Sequence, residues 1–338
     1  MKFVFITGSS RSGTTMLGRL LGKHQKVFTF PELHFFEQIV SDEQFCDYSA
    51  IDDELLIGAG ARLINVIEKG YLNSRAIDDE AREKSRSIIQ KFGISNYKHL
   101  YTTILSYFIN DSSIQVTVEQ TPRYIFSIAA LSEIDDAKII HMVRDPRSVL
   151  ISQKYKWKRK FLGASQLSLF ESIRSFISYD PILTSLIWRK ATKVAESNNN
   201  NDQLILIRFE SLIENPNMVV ESICHHVGIT YSPDLLLIPV VGSSRRNNSG
   251  ELGISSQVID PSFNGIGWFE RRLCEFLCGE AMPRFNYQYR RFSIIETIFL
   301  IPIFALMGIK TLVKGCVIFL LNRHRYTNVF RSVIKRLM

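Results

Sequence analysis

The chain has 338 residues, of which 46% are hydrophobic and 22% are charged. This composition supports a real hydrophobic core and excludes a disordered chain, and the length suits one large α/β domain or two small ones. The formal net charge is +8, but seven Lys and Arg residues and no acidic residue follow Glu296. The remaining 34 basic residues face 33 acidic ones. The basic excess therefore belongs to the tail, and we expect no nucleic-acid binding by the body.

The five cysteines are scattered, odd in number and without a Cys-x-x-Cys pair. This pattern favours reduced thiols over a disulfide framework or a metal site. The first predicted strand begins at Lys2, which leaves no room for a signal peptide or an N-terminal membrane anchor. We therefore expect the body of the protein to be cytoplasmic.

A strand, a Gly-Ser-rich turn and a helix open the chain. Residues 2–6 predict a buried strand, and from Thr14 onward apolar residues recur at helical spacing. Gly8 and Gly13 have the spacing of the phosphate loop (P-loop) Gly-x-x-x-x-Gly-Lys-Ser/Thr, which the turn matches except at the lysine. Backbone N–H groups of such a loop converge on one point beside a helix N-terminus, so the turn predicts a site for phosphate or sulfate.

The missing lysine changes the predicted chemistry. Thr14 takes its place, and Arg11 is the one cation of the loop. A P-loop kinase or nucleotidase uses that lysine with magnesium and ATP, so its absence argues against this class without removing it. A glycine-rich turn that binds nothing is the structural alternative.

The next predicted strand, residues 27–30, ends at Pro31 and leads into Glu32 and His34. Because proline cannot donate to a ladder, the residues that follow leave the sheet edge and face the space beside the loop. Taken alone, Glu32 reads as a solvated acid and His34 as an ordinary histidine. Residues 51–110 then predict a helical insert with breaks near Gly70 and Gly93.

Strands are predicted at 114–118, 137–143 and 204–208, and they alternate with helices. This order predicts an α/β fold with a parallel sheet covered on both faces. The strand at 137–143 runs into Arg144, and Asp145 and Pro146 are favourable residues for starting a helix.

Arg144, Ser148 and Ser152 are spaced four apart, so they share one face at the positive end of that helix. Arg144 also follows directly on a strand, where ligands bind in open α/β sheets. The face could therefore hold a second phosphate. An ordinary solvated helix surface is the alternative.

Together these motifs resemble the sulfotransferases, of the bacterial type, that use 3′-phosphoadenosine 5′-phosphosulfate (PAPS). Their 5′-phosphosulfate loop is similar to Arg11, Ser12, Gly13, Thr14 and Thr15. The resemblance implies that these five residues bind PAPS without a metal and that Arg11 contacts the sulfonate. In the family an arginine and a serine eight residues later hold the 3′-phosphate, which implies this role for Arg144 and Ser152.

The segment from Glu32 to Phe36 resembles the Glu-x-His-Phe-Phe segment of the heparan sulfate O-sulfotransferases. That resemblance implies that Glu32 is the catalytic base and that His34 orients it or faces the acceptor. It also implies a hydroxyl acceptor on a carbohydrate or on a lipid-linked glycan. The segment that begins Arg208-Phe-Glu210 is similar to the Arg-Tyr-Glu-Asp-Leu segment of bacterial relatives.

Two segments depart from the family pattern. Gln120 stands where Glu-Lys-Thr/Ser-Pro-x-Tyr has its lysine, and Arg123 could supply the missing charge from a different position. Later, Gly265-Ile-Gly-Trp268 resembles a degraded Gly-Arg-Trp segment beside the nucleotide.

The tail predicts a separate unit, so we divide the chain into a sulfotransferase domain, 1–291, and a helical tail, 292–338. Residues 294–321 are strongly apolar but carry Glu296, Pro302, Lys310 and Lys314, and an apolar stripe with a basic opposite face continues over 326–337. These charges favour an amphipathic helix lying at the membrane surface over one that spans it. Packing on the body or on the second subunit of a homodimer is the alternative.

The predicted protein is thus a cytoplasmic sulfotransferase, peripheral to the inner face of the cell membrane. Two rival functions stay open, namely a P-loop nucleotide kinase and a non-catalytic nucleotide-binding protein at the membrane surface.

Overall fold

A computed structural model of the chain describes residues 1–70, 78–161, 169–239, 252–254 and 262–321. Its centre is a sheet of five strands, all parallel, in the order β2-β3-β1-β4-β5. The strands are β1 (Lys2–Gly8), β2 (Val27–Phe30), β3 (Val116–Glu119), β4 (Lys138–Val143) and β5 (Leu204–Arg208). The predicted parallel sheet is confirmed, with strand ends within two residues of those expected.

Helices cover both faces of the sheet. In chain order they are α1 (Thr14–Leu21), α2 (Phe35–Gln38), α3 (Asp42–Phe45), α4 (Asp53–Lys69), α5 (Asp79–Phe92), α6 (Tyr97–Tyr107), α7 (Ile128–Ser132), α8 (Pro146–Lys154), α9 (Leu169–Ser178), α10 (Pro181–Ser197), α11 (Phe209–Glu214), α12 (Pro216–Val227), α13 (Trp268–Cys278) and α14 (Ile294–Leu321). The predicted helical insert is α4 to α6. Its breaks occur as expected, because Gly70 and Gly93 each follow the end of a helix.

Alternation along β1 assigns the two faces. Val4 and Ile6 pack with α1, α11 and α12, whereas Phe3 and Phe5 pack with the helical insert. Successive side chains of a strand point to opposite faces, so a strand buried on both sides reads as a continuous apolar run.

A third core cluster joins the end of β4 and helices α8 and α10 to the C-terminal segment. Val143 of β4, Val149 and Leu150 of α8 and Trp188 of α10 contribute to it. Residues after 270 complete it, including Cys274 of α13 and Met282 and Phe285, which follow that helix.

The strand order places the site. From β1 the chain fills positions on one side with β2 and β3, and then on the other side with β4 and β5. Neighbouring parallel strands that lead in opposite directions leave a crevice at their carboxyl ends, where α/β proteins bind ligands. Here the crevice lies between the ends of β1 and β4, so the loop after Gly8 and the turn at Arg144 meet there.

The tail helix α14 is continuous over 28 residues, with Pro302 inside it. One side rests on the body, where Phe304 contacts Phe276 at 5.5 Å between ring centroids and Thr311 Oγ1 donates to Asp180 Oδ2 at 2.8 Å. Among residues 294–313, nine large apolar side chains on the remaining surface are more than half exposed: Ile294, Ile295, Ile298, Phe299, Ile301, Leu306, Ile309, Leu312 and Val313.

Within the described part of the chain, one helical segment, Ile294–Val313, is long enough and apolar enough to cross a membrane, judged by length and composition. Such a helix is weak evidence for a membrane by itself. It meets this criterion although it contains Glu296, Pro302 and Lys310, three of the residues that favour an interfacial helix in the sequence. The interfacial placement stays a prediction, and the predicted stripe over 326–337 lies outside the described residues.

Candidate active site

The loop between β1 and α1 has a backbone that its glycines make possible. Gly13 adopts φ 95° and Arg11 adopts φ 78°, both in the left-handed region. A Cβ built on Gly13 would lie 2.4 Å from a ring carbon of Phe209, and one on Gly8 would lie 2.6 Å from the Met142 carbonyl oxygen. The two glycines at P-loop spacing therefore let the loop pass close to β4 and to the start of α11.

The N-terminus of α1 suits an anion. Helix α1 begins directly after the loop, its N-cap residue Gly13 has no side chain that could cap it, and its first turn carries no acidic residue. The orphan N–H groups of this turn and the positive end of the helix dipole therefore favour a phosphate or sulfate. Thr15 is exposed there, whereas the side chains of Ser12 and Thr14 are buried. Within the described residues the Ser12 hydroxyl has no hydrogen-bond partner.

The loop and the predicted α8 face come together. Arg11 Nε donates to Ser152 Oγ at 2.9 Å, and Arg144 Nη1 donates to the Arg11 carbonyl oxygen at 3.1 Å. The Asp145 side chain accepts from the Arg147 N–H and caps α8, as predicted. Two guanidinium groups and one helix N-terminus thus concentrate positive charge at the crevice.

Aromatic and acidic neighbours hold Arg144. Its guanidinium lies 4.2 Å from the centroid of the Phe209 ring. Burial lowers the pKa of Arg144, and the nearby Glu210 carboxylate opposes that shift. Glu210 in turn accepts from the Asp145 N–H at 3.1 Å and from the Tyr287 hydroxyl at 2.7 Å. The Arg-Phe-Glu segment after β5 therefore supports the turn that carries Arg144, and an arginine keeps its charge through such a shift.

Glu32 and His34 follow β2 on the same edge of the sheet. The Glu32 carboxylate lies 3.2 Å from His34 Nε2, with the two side chains 44% and 10% exposed. His34 adopts φ 54° just before α2. One strand, β3, separates β2 from β1, so the two strands run about 10 Å apart. The register sets Phe30 of β2 level with Phe5 of β1, so Gly8 lies about 10 Å further along its strand. Glu32, His34 and the predicted anion loop therefore all lie at the carboxyl-end edge of the sheet.

Comparison with known proteins decides the family. The model of the group described as "Sulfotransferase family" matches residues 4–233. The chain belongs to the sulfotransferase family.

Among similar sulfotransferases, "Sulfotransferase 2A1" of Rattus norvegicus is 27% identical over 148 residues, which are 43% of this chain and 51% of that protein. The "3-beta-hydroxysteroid sulfotransferase" of Cavia porcellus is 23% identical over 120 residues, 36% of this chain and 40% of that protein. The chain spans about half the length of the curated relatives it matches or less.

Among solved structures, the "Sulfotransferase Domain from the Curacin Biosynthetic Pathway" superimposes with a TM-score of 0.51 at 18% identity. The alignment covers 86% of this chain and 99% of that domain. At this identity the likeness shows the shared sulfotransferase fold, a parallel sheet flanked by helices.

A buried chain of ion pairs connects the turn after β4 to the C-terminal helices. Arg147 pairs with Asp145 at 2.7 Å and with Glu275 of α13 at 3.1 Å. Glu275 also pairs with Arg272, and Arg272 reaches Glu296 of α14 at 2.9 Å. Arg147 and Glu275 are 128 residues apart, so no local pattern in the sequence predicts this pairing.

Gln120 and Trp268, which belong to the two segments that depart from the family pattern, lie in different parts of the structure. The Gln120 side chain lies against α1, since a Cβ on Gly18 would come within 2.7 Å of its Oε1 atom. With Arg19, Lys23 and Pro239 it lines a cavity of about 560 Å³ beside α1. Trp268 begins α13 and is 54% exposed. A role for Arg123 in place of the lysine stays a prediction, as does the absence of a metal.

Proposed function

We propose that this protein transfers a sulfuryl group from PAPS to an acceptor hydroxyl, with Glu32 as the general base. The observation that carries the proposal is the junction of Arg11, Ser152 and Arg144. It brings two sequence motifs 133 residues apart into contact, through the bond from Arg144 Nη1 to the Arg11 carbonyl oxygen.

The residues at the crevice fit a ligand with two anionic ends. The loop from Arg11 to Thr15 and the uncapped α1 N-terminus would hold the 5′-phosphosulfate. Arg144 and Ser152 would hold the 3′-phosphate, with Arg144 presented on the Phe209 ring. A Cβ on Gly13 would clash with the Phe209 ring, so the close approach of loop and ring depends on a glycine at this position.

PAPS supplies an activated sulfuryl group, whose transfer breaks its phosphosulfate S–O bond, forms an S–O bond to the acceptor and leaves adenosine 3′,5′-bisphosphate. The protein's part is electrostatic and acid–base. Arg11 and the N–H groups of α1 would stabilise negative charge at the breaking bond. Glu32 would take the acceptor's proton, a contribution of typically 10²–10⁴-fold. His34, 3.2 Å from the Glu32 carboxylate, would orient it.

We further propose a carbohydrate or lipid-linked hydroxyl as the acceptor. The resemblance around Glu32 to heparan sulfate O-sulfotransferases supports the carbohydrate, and the guinea-pig relative is named for a 3β-hydroxysteroid. A steroid hydroxyl therefore belongs in any test of acceptors.

The tail supports a place at the membrane. We propose a cytoplasmic body, residues 1–291, held at the inner face of the membrane by residues 292–338. The nine exposed apolar side chains of α14 would enter the interface, and the seven cations after Glu296 would meet anionic headgroups. A homodimer that buries the same side chains is the competing arrangement.

Transfer of ³⁵S from labelled PAPS tests the proposed function directly. The acceptors are chitobiose, lactose, a glucosyl diacylglycerol in vesicles and a 3β-hydroxysteroid, and the control is Glu32→Gln beside Glu80→Gln, an exposed acid of α5. We expect labelled product with one acceptor class, abolished by Glu32→Gln alone. Thermal stabilisation by ATP with Mg²⁺, without stabilisation by adenosine 3′,5′-bisphosphate, would instead favour the kinase.

A further inference from the structure

A buried carboxylate lies directly behind the segment that carries Glu32. Glu119 is the last residue of β3, and it pairs in register with Phe30 of β2 on one side and with Phe5 of β1 on the other. Its side chain is 1% exposed. Glu119 is therefore fixed between the strand that leads to the base and the strand that leads to the anion loop.

Three donors converge on this carboxylate. The Tyr101 hydroxyl donates to Glu119 Oε2 at 2.5 Å, the Thr121 hydroxyl donates to Oε1, and the Leu33 N–H donates to Oε1 at 3.2 Å. Burial raises the pKa of Glu119 to about 7, and these three bonds oppose that shift. Because a buried carboxylate without donors is costly, the three bonds are a condition for having Glu119 in this position.

Thr121 links this anchor to the backbone of the base segment. Its hydroxyl donates a hydrogen bond to Glu119 and accepts from the Leu33 N–H at 3.1 Å and from the His34 N–H at 3.5 Å. The next contact along is similar, since the Phe35 N–H donates to the Tyr124 hydroxyl at 2.7 Å. The residues on both sides of His34 are thus held by side chains from the β3 connection, while His34 itself adopts the left-handed conformation.

We propose that Thr121, anchored by Glu119, is a positioning residue that fixes the direction of Glu32 and His34 toward the acceptor. The proposal rests on the proposed function, in which Glu32 is the base. Thr121 would act through the Leu33 backbone and would not touch either substrate. A base displaced by about 1 Å loses turnover by as much as about 100-fold, so the hold on Leu33 has a measurable kinetic consequence.

Two substitutions at Thr121 separate this role from simple stability. Thr121→Val keeps the shape and removes all three hydrogen bonds of the hydroxyl, to Glu119 and from the Leu33 and His34 N–H groups, whereas Thr121→Ser keeps the hydroxyl. Thr117→Val is the matched control, because Thr117 is also buried on β3 but its hydroxyl contacts Met1 and not the base segment. Each variant is assayed for kcat and for KM of the best acceptor of the ³⁵S assay, for adenosine 3′,5′-bisphosphate affinity, and for amide exchange at residues 33–35.

We expect Thr121→Val to lower kcat by about 10- to 100-fold while nucleotide affinity changes less than about threefold. Exchange at Leu33 should become about fivefold faster with one hydrogen bond lost. Thr121→Ser should restore both readouts, and Thr117→Val should alter neither. Normal kcat in Thr121→Val, or equal losses in Thr117→Val, would overturn the positioning role alone. Absence of sulfate transfer by the unmodified protein would overturn the proposed function, and the positioning role with it.

Discussion

Replacing Arg144 tests the nucleotide site most directly, because its contacts separate into two kinds. In the free protein Arg144 donates to the Arg11 carbonyl oxygen at 3.1 Å and covers the Phe209 ring. Arg144→Ala removes both, so the loop loses some support for any ligand that uses the α1 N-terminus. In our proposal the same guanidinium also binds the 3′-phosphate, and that bond exists only for ligands that carry this phosphate.

The two kinds of loss have different sizes. A hydrogen bond to a charged group contributes about 1.5–3 kcal/mol, so adenosine 3′,5′-bisphosphate should bind about 10- to 150-fold more weakly to Arg144→Ala. Loss of the loop contact should cost both that ligand and adenosine 5′-phosphate about 1 kcal/mol at most, or about fivefold. The ratio of the two changes therefore isolates the 3′-phosphate.

Isothermal titration calorimetry with both ligands measures this ratio. Arg189→Ala is the matched control, since Arg189 is an exposed arginine of α10. Arg144→Lys should recover part of the affinity, because lysine restores the charge without the planar pair of donors. If both ligands weaken by the same factor, Arg144 supports the loop and does not bind the 3′-phosphate.

Four further expectations follow from the same structure. Glu32→Gln should lower turnover by about 10²–10⁴ with nucleotide affinity changed only a few-fold in calorimetry; near-normal turnover would move the base to His34. Gly13→Ala should lose nucleotide binding, because its Cβ would lie 2.4 Å from the Phe209 ring, whereas Gly58→Ala, with open space around it, should not. Burial lowers the pKa of His141 to about 3 from its usual 6.5. Between these two values the unfolded chain has a protonated His141 and the folded chain does not, so the free energy of unfolding rises with pH. Glu119, with its raised pKa of about 7, makes the free energy of unfolding change with pH in the opposite direction between pH 4.5 and 7. The effect of His141 is therefore clearest below pH 4.5. Urea titrations should show a loss of about 2 kcal/mol in the free energy of unfolding from pH 4.5 to 3, and this loss should be absent in His141→Gln. The whole chain should co-sediment with anionic vesicles. A cut after Arg291 should abolish this binding, and so should the double substitution Ile298→Glu with Leu306→Glu. If the double variant still binds vesicles, or if the unmodified protein is a dimer that the double variant dissociates, the tail is not interfacial.

The sequence could predict the strand, turn and helix around Gly8 and Gly13 and the place of Arg144 at a strand end for a physical reason. Strand, turn and helix are each specified over fewer than ten residues, and parallel strands must bring their carboxyl ends to one edge. Gly8, Gly13 and Arg144 needed no knowledge of distant contacts to be selected. That β4 lies beside β1, which brings Arg144 to the loop, required the structure.

Other parts of the site depend on contacts that no local pattern encodes. Thr121 and Leu33 are 88 residues apart, and nothing in the sequence around Thr121 predicts which group its hydroxyl will bond. The direction of Gln120, against Gly18 of α1, likewise depends on helix packing. The sequence of α14 shows that it is apolar, but which of its sides contacts Phe276 and Asp180 depends on how the helix packs against the rest of the protein.

The third core cluster has a consequence for how this protein tolerates change. The family model ends at residue 233, and every residue assigned to the donor precedes that point. Val143, Val149, Leu150 and Trp188 are nevertheless buried against residues that come after 270. Exposing four such side chains would cost about 1.5–3 kcal/mol each, which is comparable with the whole stability of a typical domain, about 5–15 kcal/mol. Substitutions of the buried α13 residues in this cluster should therefore lower the amount of folded protein in a cell, whereas substitutions in the β1–α1 loop should leave folded but inactive protein.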